Sequence, residues 1–76
     1  MIVDLSERKE YLIRFGKNFR KIRKSRGYTQ AQLAIDLDSD VSFISRIERG
    51  LINTTVIKLK EVSDILNVSI NHFFDF

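Results

Sequence analysis

Residues 41–50 read VSFISRIERG. Wound as a helix, they turn Val41, Ser42, Ser45, Arg46 and Arg49 outward, with Ile44 and Ile47 facing in. Arg46 carries the most directed chemistry. A guanidinium is a rigid fork of N–H donors that meets two acceptors at once, such as O6 and N7 of guanine. Arg49, near the helix end, suits a phosphate oxygen. Ser42 donates to or accepts from a base edge or a phosphate, and Val41 offers only methyl surface, which packs on a thymine methyl. Asp40 is a strong N-cap for this helix. A carboxylate repels phosphate, so capping is its first role; accepting from cytosine N4 is the other.

This is recognition chemistry rather than catalysis. The chain has one histidine, His72, and no cysteine. Disulfides and thiolate metal sites are excluded, and a lone histidine anchors no metal. His72 reads as a helix-surface residue. No nucleophile stands beside a base, no glycine-rich loop cradles a phosphate, and no carboxylates pair convincingly. Neither an enzyme nor a cofactor is expected.

Charge points to the partner. Between Arg14 and Arg26 lie Arg14, Lys17, Arg20, Lys21, Arg23, Lys24 and Arg26, seven basic residues with no acid among them. The other six basic residues face ten acids, so the rest of the chain stands at −4 while the whole carries +3. Such asymmetry suggests an anionic partner, the plainer alternative being a solvated basic face.

Elements that position these groups follow from spacing. Leu12, Phe15, Phe19 and Ile22 form one face of a first helix, capped by Asp4 or Ser6 and left through Gly27. Gly16 inside it costs roughly 1 kcal/mol relative to alanine and permits close packing. TQAQ at 29–32 is a capping box for a second helix carrying Ala31, Leu33, Ala34 and Leu37. Asp38, Ser39 and Asp40 stop it, and the third helix runs from Val41 to Arg49, closed by Gly50. Thr55 caps a fourth helix with Val56, Leu59, Val62, Ile65 and Leu66, and Asn67 suits a left-handed exit. Ser69 caps a last short helix over 70–74. No segment alternates as a strand does. The reading is a single all-α domain over residues 1–76, a five-helix bundle, with residues 1–14 extending helix one. No run approaches the roughly 18 apolar residues of a membrane span. The first ten residues become charged too soon for a signal peptide, so a cytoplasmic location is expected.

IRKSRGYTQAQLA, ISRIERG and LKEVSDILNVSINHFF, in this order and spacing, resemble the Xre family of helix-turn-helix DNA-binding domains, the family of the phage Cro and cI repressors. The resemblance covers about residues 15–74. It implies a lambda repressor-like fold in which one helix crosses the DNA backbone while the next lies in the major groove. It implies base contacts at Asp40, Val41, Ser42 and Arg46, and a phosphate contact at Gln30, whose amide lies beside the free N–H groups of a helix start. Lys17, Ser45 and Arg49 complete the expected phosphate set, and Arg20, Lys24 and Arg26 add flanking charge. Family members pair an acid at the position of Glu48 with an arginine at that of Arg23, which would tie helix one to helix three. The turn departs from the pattern. Asp38 stands where glycine is usual and Ser39 where a small apolar residue is usual; aspartate enters the left-handed region less readily than glycine, yet more readily than most residues.

The end, VSINHFFDF, is rich in aromatics. Phe73 completes the family core. Phe74 and Phe76 exceed what one small core needs; they cover the base of the bundle or, with Ile52, form an association surface. A two-fold homodimer through this end would set two reading helices about 34 Å apart on a palindromic operator, as in Cro/cI-like repressors and restriction–modification controller proteins. An antitoxin that binds a toxin protein through the same apolar end, and a protein-interaction module that has lost DNA binding, are the alternatives. Single-stranded binding lacks an aromatic platform beside the basic residues.

Overall fold

The computed structural model describes residues 4–76. Residues 1–3 of the expected N-terminal extension lie outside the described residues. The chain forms α1 (Leu5–Ser25), α2 (Gln30–Asp36), α3 (Val41–Glu48) and α4 (Val56–Leu66), then a 3-10 turn over Ile70–Phe74. The fifth element is therefore 3-10 rather than α. At its start the His72 N–H donates i→i+3 to the Ser69 carbonyl, 3.0 Å, and at its end the Asp75 N–H donates to the His72 carbonyl, 3.3 Å. The tighter winding suits a segment too short to sustain α-helical bonding, and it sets Phe73 against Phe19, ring centroids 5.5 Å apart.

Each start has a polar cap. Asp4 accepts from the Ser6 N–H, Thr29 from that of Gln32, Asp40 from that of Phe43 and Thr55 from that of Lys58. At α2 the box is reciprocal, since the Gln32 side chain accepts from the Thr29 N–H. The four helix ends share one geometry. Gly27, Asp38, Gly50 and Asn67 all have positive φ, and the residue after each donates back five positions: Tyr28 to Arg23, Ser39 to Ala34, Leu51 to Arg46, Val68 to Ser63. This is the Schellman closure, which satisfies carbonyls that a helix end leaves free. Aspartate fills the left-handed place at the α2–α3 turn, φ 55°.

One core holds the helices. Phe15 and Phe19 of α1, Leu33, Ala34 and Leu37 of α2, Ile44 and Ile47 of α3, Leu59, Val62 and Leu66 of α4, and Phe73 are buried together. Ala31 and Val56, named above among the apolar residues of α2 and α4, are exposed. Both sit in the first turn of their helices, before the helix axis reaches the core.

Close approach seats α3 on α1. A Cβ at Gly16 would fall on the Ile47 carbonyl and lie 2.6 Å from that of Glu48. At Gly50 one would lie 2.7 Å from Ile13 Cα. Only hydrogen fits at either place, so the end of α3 rests on the middle of α1. That contact places the outward face of α3 relative to the basic helix. No helix among the described residues is long and apolar enough to cross a membrane.

Candidate nucleic-acid interface

A buried polar knot sits behind α3. Arg23 reaches from α1 to Glu48 at the end of α3, with Nε donating to Oε2 at 2.6 Å and Nη2 to Oε1 at 3.0 Å. Both side chains are nearly sealed from water, 6% and 3% exposed. The remaining Nη1 donates to the Tyr28 carbonyl, 2.7 Å. Glu48 Oε1 also accepts from the Gln30 side-chain amide, 3.0 Å. Thus α1, α2 and α3 meet at one carboxylate. A fork of this kind is geometrically demanding, and neither charge is left bare. Among the described residues no buried side-chain nitrogen or oxygen lacks a partner.

Gln30 is therefore half-buried, with one amide hydrogen turned to Glu48. Among the described residues its second hydrogen has no partner. An open depression beside it is bordered by Arg23, Lys24, Gln30 and Val41. Lys17 stands elsewhere on α1, bordering a different depression with Asp75 and Phe76. Arg26 is tied down: its Nε donates to the Leu66 carbonyl at the end of α4, 2.9 Å. A guanidinium is favourable at a helix C-terminus, and this bond makes Arg26 a link between α1 and α4.

On α3, Val41, Ser42, Arg46 and Arg49 are exposed, while Ser45 is half-buried. Arg49 is the C-cap residue, its Nε near the Ser45 carbonyl at 3.4 Å. Asp40 Oδ1 accepts from the Phe43 N–H and from the Ser42 hydroxyl, each at 2.8 Å. The Ser42 hydroxyl first, then the Phe43 N–H, holds the Asp40 carboxyl below the ordinary aspartate value of 3.8, and the Arg46 charge adds to this. Asp40 thus caps α3 as an anion while bonded to a neighbouring outward side chain.

The apolar end differs in kind. Ile52 and Phe74 border one groove with Tyr11, Leu12, Val56 and Leu59. Phe74 is half-exposed and packs on Phe15, centroids 5.5 Å apart. Phe76 lies against α1 instead, 5.2 Å from the Tyr11 ring, with the Arg14 guanidinium 5.1 Å from its centroid. It does not border the groove. Three strongly exposed apolar residues add to this end or lie next to it in the chain: Val56, together with Leu51 and Ile57, which were not singled out in the sequence. Two adjacent apolar residues at the start of a helix were the available signal, because α4 cannot turn both inward.

A family model described as helix-turn-helix matches residues 19–73. The chain is 41% identical over 61 residues to the HTH-type transcriptional regulator SlrR of Bacillus subtilis (strain 168), a match covering 79% of this chain and 40% of SlrR. It is 32% identical over 63 residues to the control protein C.MunI of Mycoplasma sp, covering 82% of this chain and 85% of that one. Its structure is similar to that of the restriction-modification controller protein C.AhdI from Aeromonas hydrophila, with TM-score 0.78, 27% identity, and 83% and 96% of the two chains covered. It is also similar to SinR, the master regulator for biofilm formation, in complex with DNA, with TM-score 0.74, 34% identity, and 80% and 98% covered.

Proposed function

The chain belongs to the helix-turn-helix family, Xre-like in pattern, and on that premise we propose that it is a sequence-specific regulator of transcription that binds double-stranded DNA as a homodimer on a palindromic operator. One observation carries the reading. An exposed row of Val41, Ser42 and Arg46 stands on a helix whose seat is fixed from behind by Gly16 and the Arg23–Glu48 pair. A rigid helix with a polar outward row is what major-groove reading needs.

In this reading Arg46 donates its fork to guanine. Val41 packs on a thymine methyl, and Asp40 and Ser42 meet the bases at the start of the helix. Gln30 keeps one amide hydrogen on Glu48 and gives the other to a phosphate, so the knot that seats α3 also aims the phosphate contact. Arg49, Ser45, Lys17 and Lys24 supply further phosphate contacts or attraction. Ile52 and Phe74, with the exposed Val56 beside them, form the surface between copies, whereas Phe76 packs on Tyr11 and Arg14 of α1 within its own chain. The relatives named controller protein or regulator make control of transcription the natural output.

Selection of bound duplexes from random DNA tests the reading. Enrichment of an inverted repeat, with affinity falling steeply as salt rises, is expected, because phosphate neutralisation releases condensed counterions. Sedimentation of the protein on that operator should give two chains per duplex. Affinity that is indifferent to salt, or the absence of any enriched duplex, would sink the proposal.

A further inference from the structure

Asp40 and Ser42 form a bond whose direction is set by chemistry. The hydroxyl lies 2.8 Å from Asp40 Oδ1, which also holds the Phe43 N–H at 2.8 Å. An ionised carboxylate has no hydrogen to give, so the hydroxyl must be the donor. Ser42 has only one hydrogen, and it is committed. What Ser42 turns outward is lone pairs. Asp40 Oδ2 takes part in neither bond and is a second acceptor on an exposed residue. Val41 between them adds only apolar surface. The leading end of α3 therefore presents side-chain acceptors and no side-chain donor. Arg46, one turn later, presents donors and no acceptor.

We infer that Asp40 and Ser42 together determine specificity for a base bearing an exocyclic amine, adenine or cytosine, on one strand at the base pair that meets the start of α3. This rests on the proposed role of α3 as the major-groove helix. In that groove adenine N6 and cytosine N4 donate, whereas thymine O4 and guanine O6 accept. A serine by itself serves either sense. The bond to Asp40 removes that freedom, because donating to a keto base would require Ser42 to release the carboxylate. A keto base would also set its oxygen against Asp40 Oδ2, acceptor against acceptor, with nothing to compensate the lost water. Since Arg46 favours guanine, the two ends of one helix impose opposite donor–acceptor sense. The half-site is then read in a single direction.

The experiment is selection of duplexes from random DNA by the full chain, unsubstituted and as Asp40→Asn. Asparagine caps a helix as well as aspartate does and keeps Oδ1, but it replaces Oδ2 by an N–H donor. The unsubstituted chain is expected to enrich adenine or cytosine over guanine or thymine at one position of each half-site. Asp40→Asn, with its helical content checked by circular dichroism, is expected to turn that same position toward the keto bases. A second arm uses the unsubstituted chain only. The selected operator carrying N6-methyladenine or N4-methylcytosine at that position should bind on the order of tenfold more weakly, the usual scale for one wrong base pair. The same methyl two base pairs beyond the half-site should leave binding unchanged. A keto base at that position, a half-site that Asp40→Asn leaves unaltered, or full tolerance of the methyl overturns the inference while the DNA reading stands. If no duplex is enriched at all, the DNA reading fails and takes this inference with it.

Discussion

The two ends of α3 contrast with the groove at the far end of the bundle. Around α3, named polar bonds set the side chains in place: Arg23 and Gln30 on Glu48, Ser42 on Asp40. Around Ile52, Val56 and Phe74 the surface is apolar and open, and Val56 is 77% exposed. Polar bonds are directional, so they hold donors and acceptors in defined orientations. Apolar contact is non-directional and scales with area removed from water. A surface that must discriminate among base edges suits the first kind, and one that must gain area from a second chain suits the second. Different substitutions should therefore damage the two regions in different ways.

Glu48→Ala is expected to have the largest effect. It strands Arg23 in a buried position and frees Gln30, and breaking a buried pair from one side costs about 3–5 kcal/mol. Urea unfolding should show the loss. If stability falls by less than about 1 kcal/mol, in the range of exposed pairs, then the knot is not a buried pair in solution. Arg46→Ala comes next. Affinity for the preferred duplex should fall by about 1–3 kcal/mol, and selectivity should relax at one symmetric position. Because Arg46 is exposed, the melting temperature should scarcely move. A variant that stays folded and keeps full selectivity would take Arg46 out of the readout.

Val56→Asp probes the apolar groove. Aspartate is favourable in the first turn of a helix, so monomer stability should change by less than about 0.5 kcal/mol, as for other exposed positions. Self-association at micromolar concentration should drop, as sedimentation would report. Unaltered association would move the interface away from this groove.

The smallest effect is one of acidity. The Asp40 carboxyl is held below its ordinary value of 3.8 by Ser42 and Phe43. A depressed folded-state pKa contributes stability that is present above the unfolded value and lost as pH falls through the folded one. Between pH 7 and pH 5 the start of α3 should be indifferent to acidity. Below 3.8 the Phe43 amide should lose protection in hydrogen exchange before the core does. Loss beginning near pH 6 would point to some other group.

Much of the local architecture was legible from the chain. Asp4, Thr29, Asp40, Thr55 and Ser69 all cap as their types suggest. Gly27, Gly50 and Asn67 sit in the left-handed region where their types are tolerated. Asp38, the apparent departure, adopts the same conformation; the turn needs that geometry more than it needs glycine. Two of the apolar residues named on α2 and α4, Ala31 and Val56, are exposed, and both fall in a first helical turn. There periodicity predicts a face but not whether the core extends to it.

What the sequence determined by itself acts over a few residues: caps, helix ends, the apolar faces, and the outward row on α3. These depend on bonds and spacings within a turn or two, so residue type and order suffice. Only the tertiary structure decided the rest. Gln30 joins Glu48 across 18 residues, Arg26 closes α4 across 40, and Phe76 folds back on Tyr11 rather than into the groove. In each case the side chain has several partners of equal chemistry along the chain. The helix packing, set by Gly16 and Gly50, selects the one that is near.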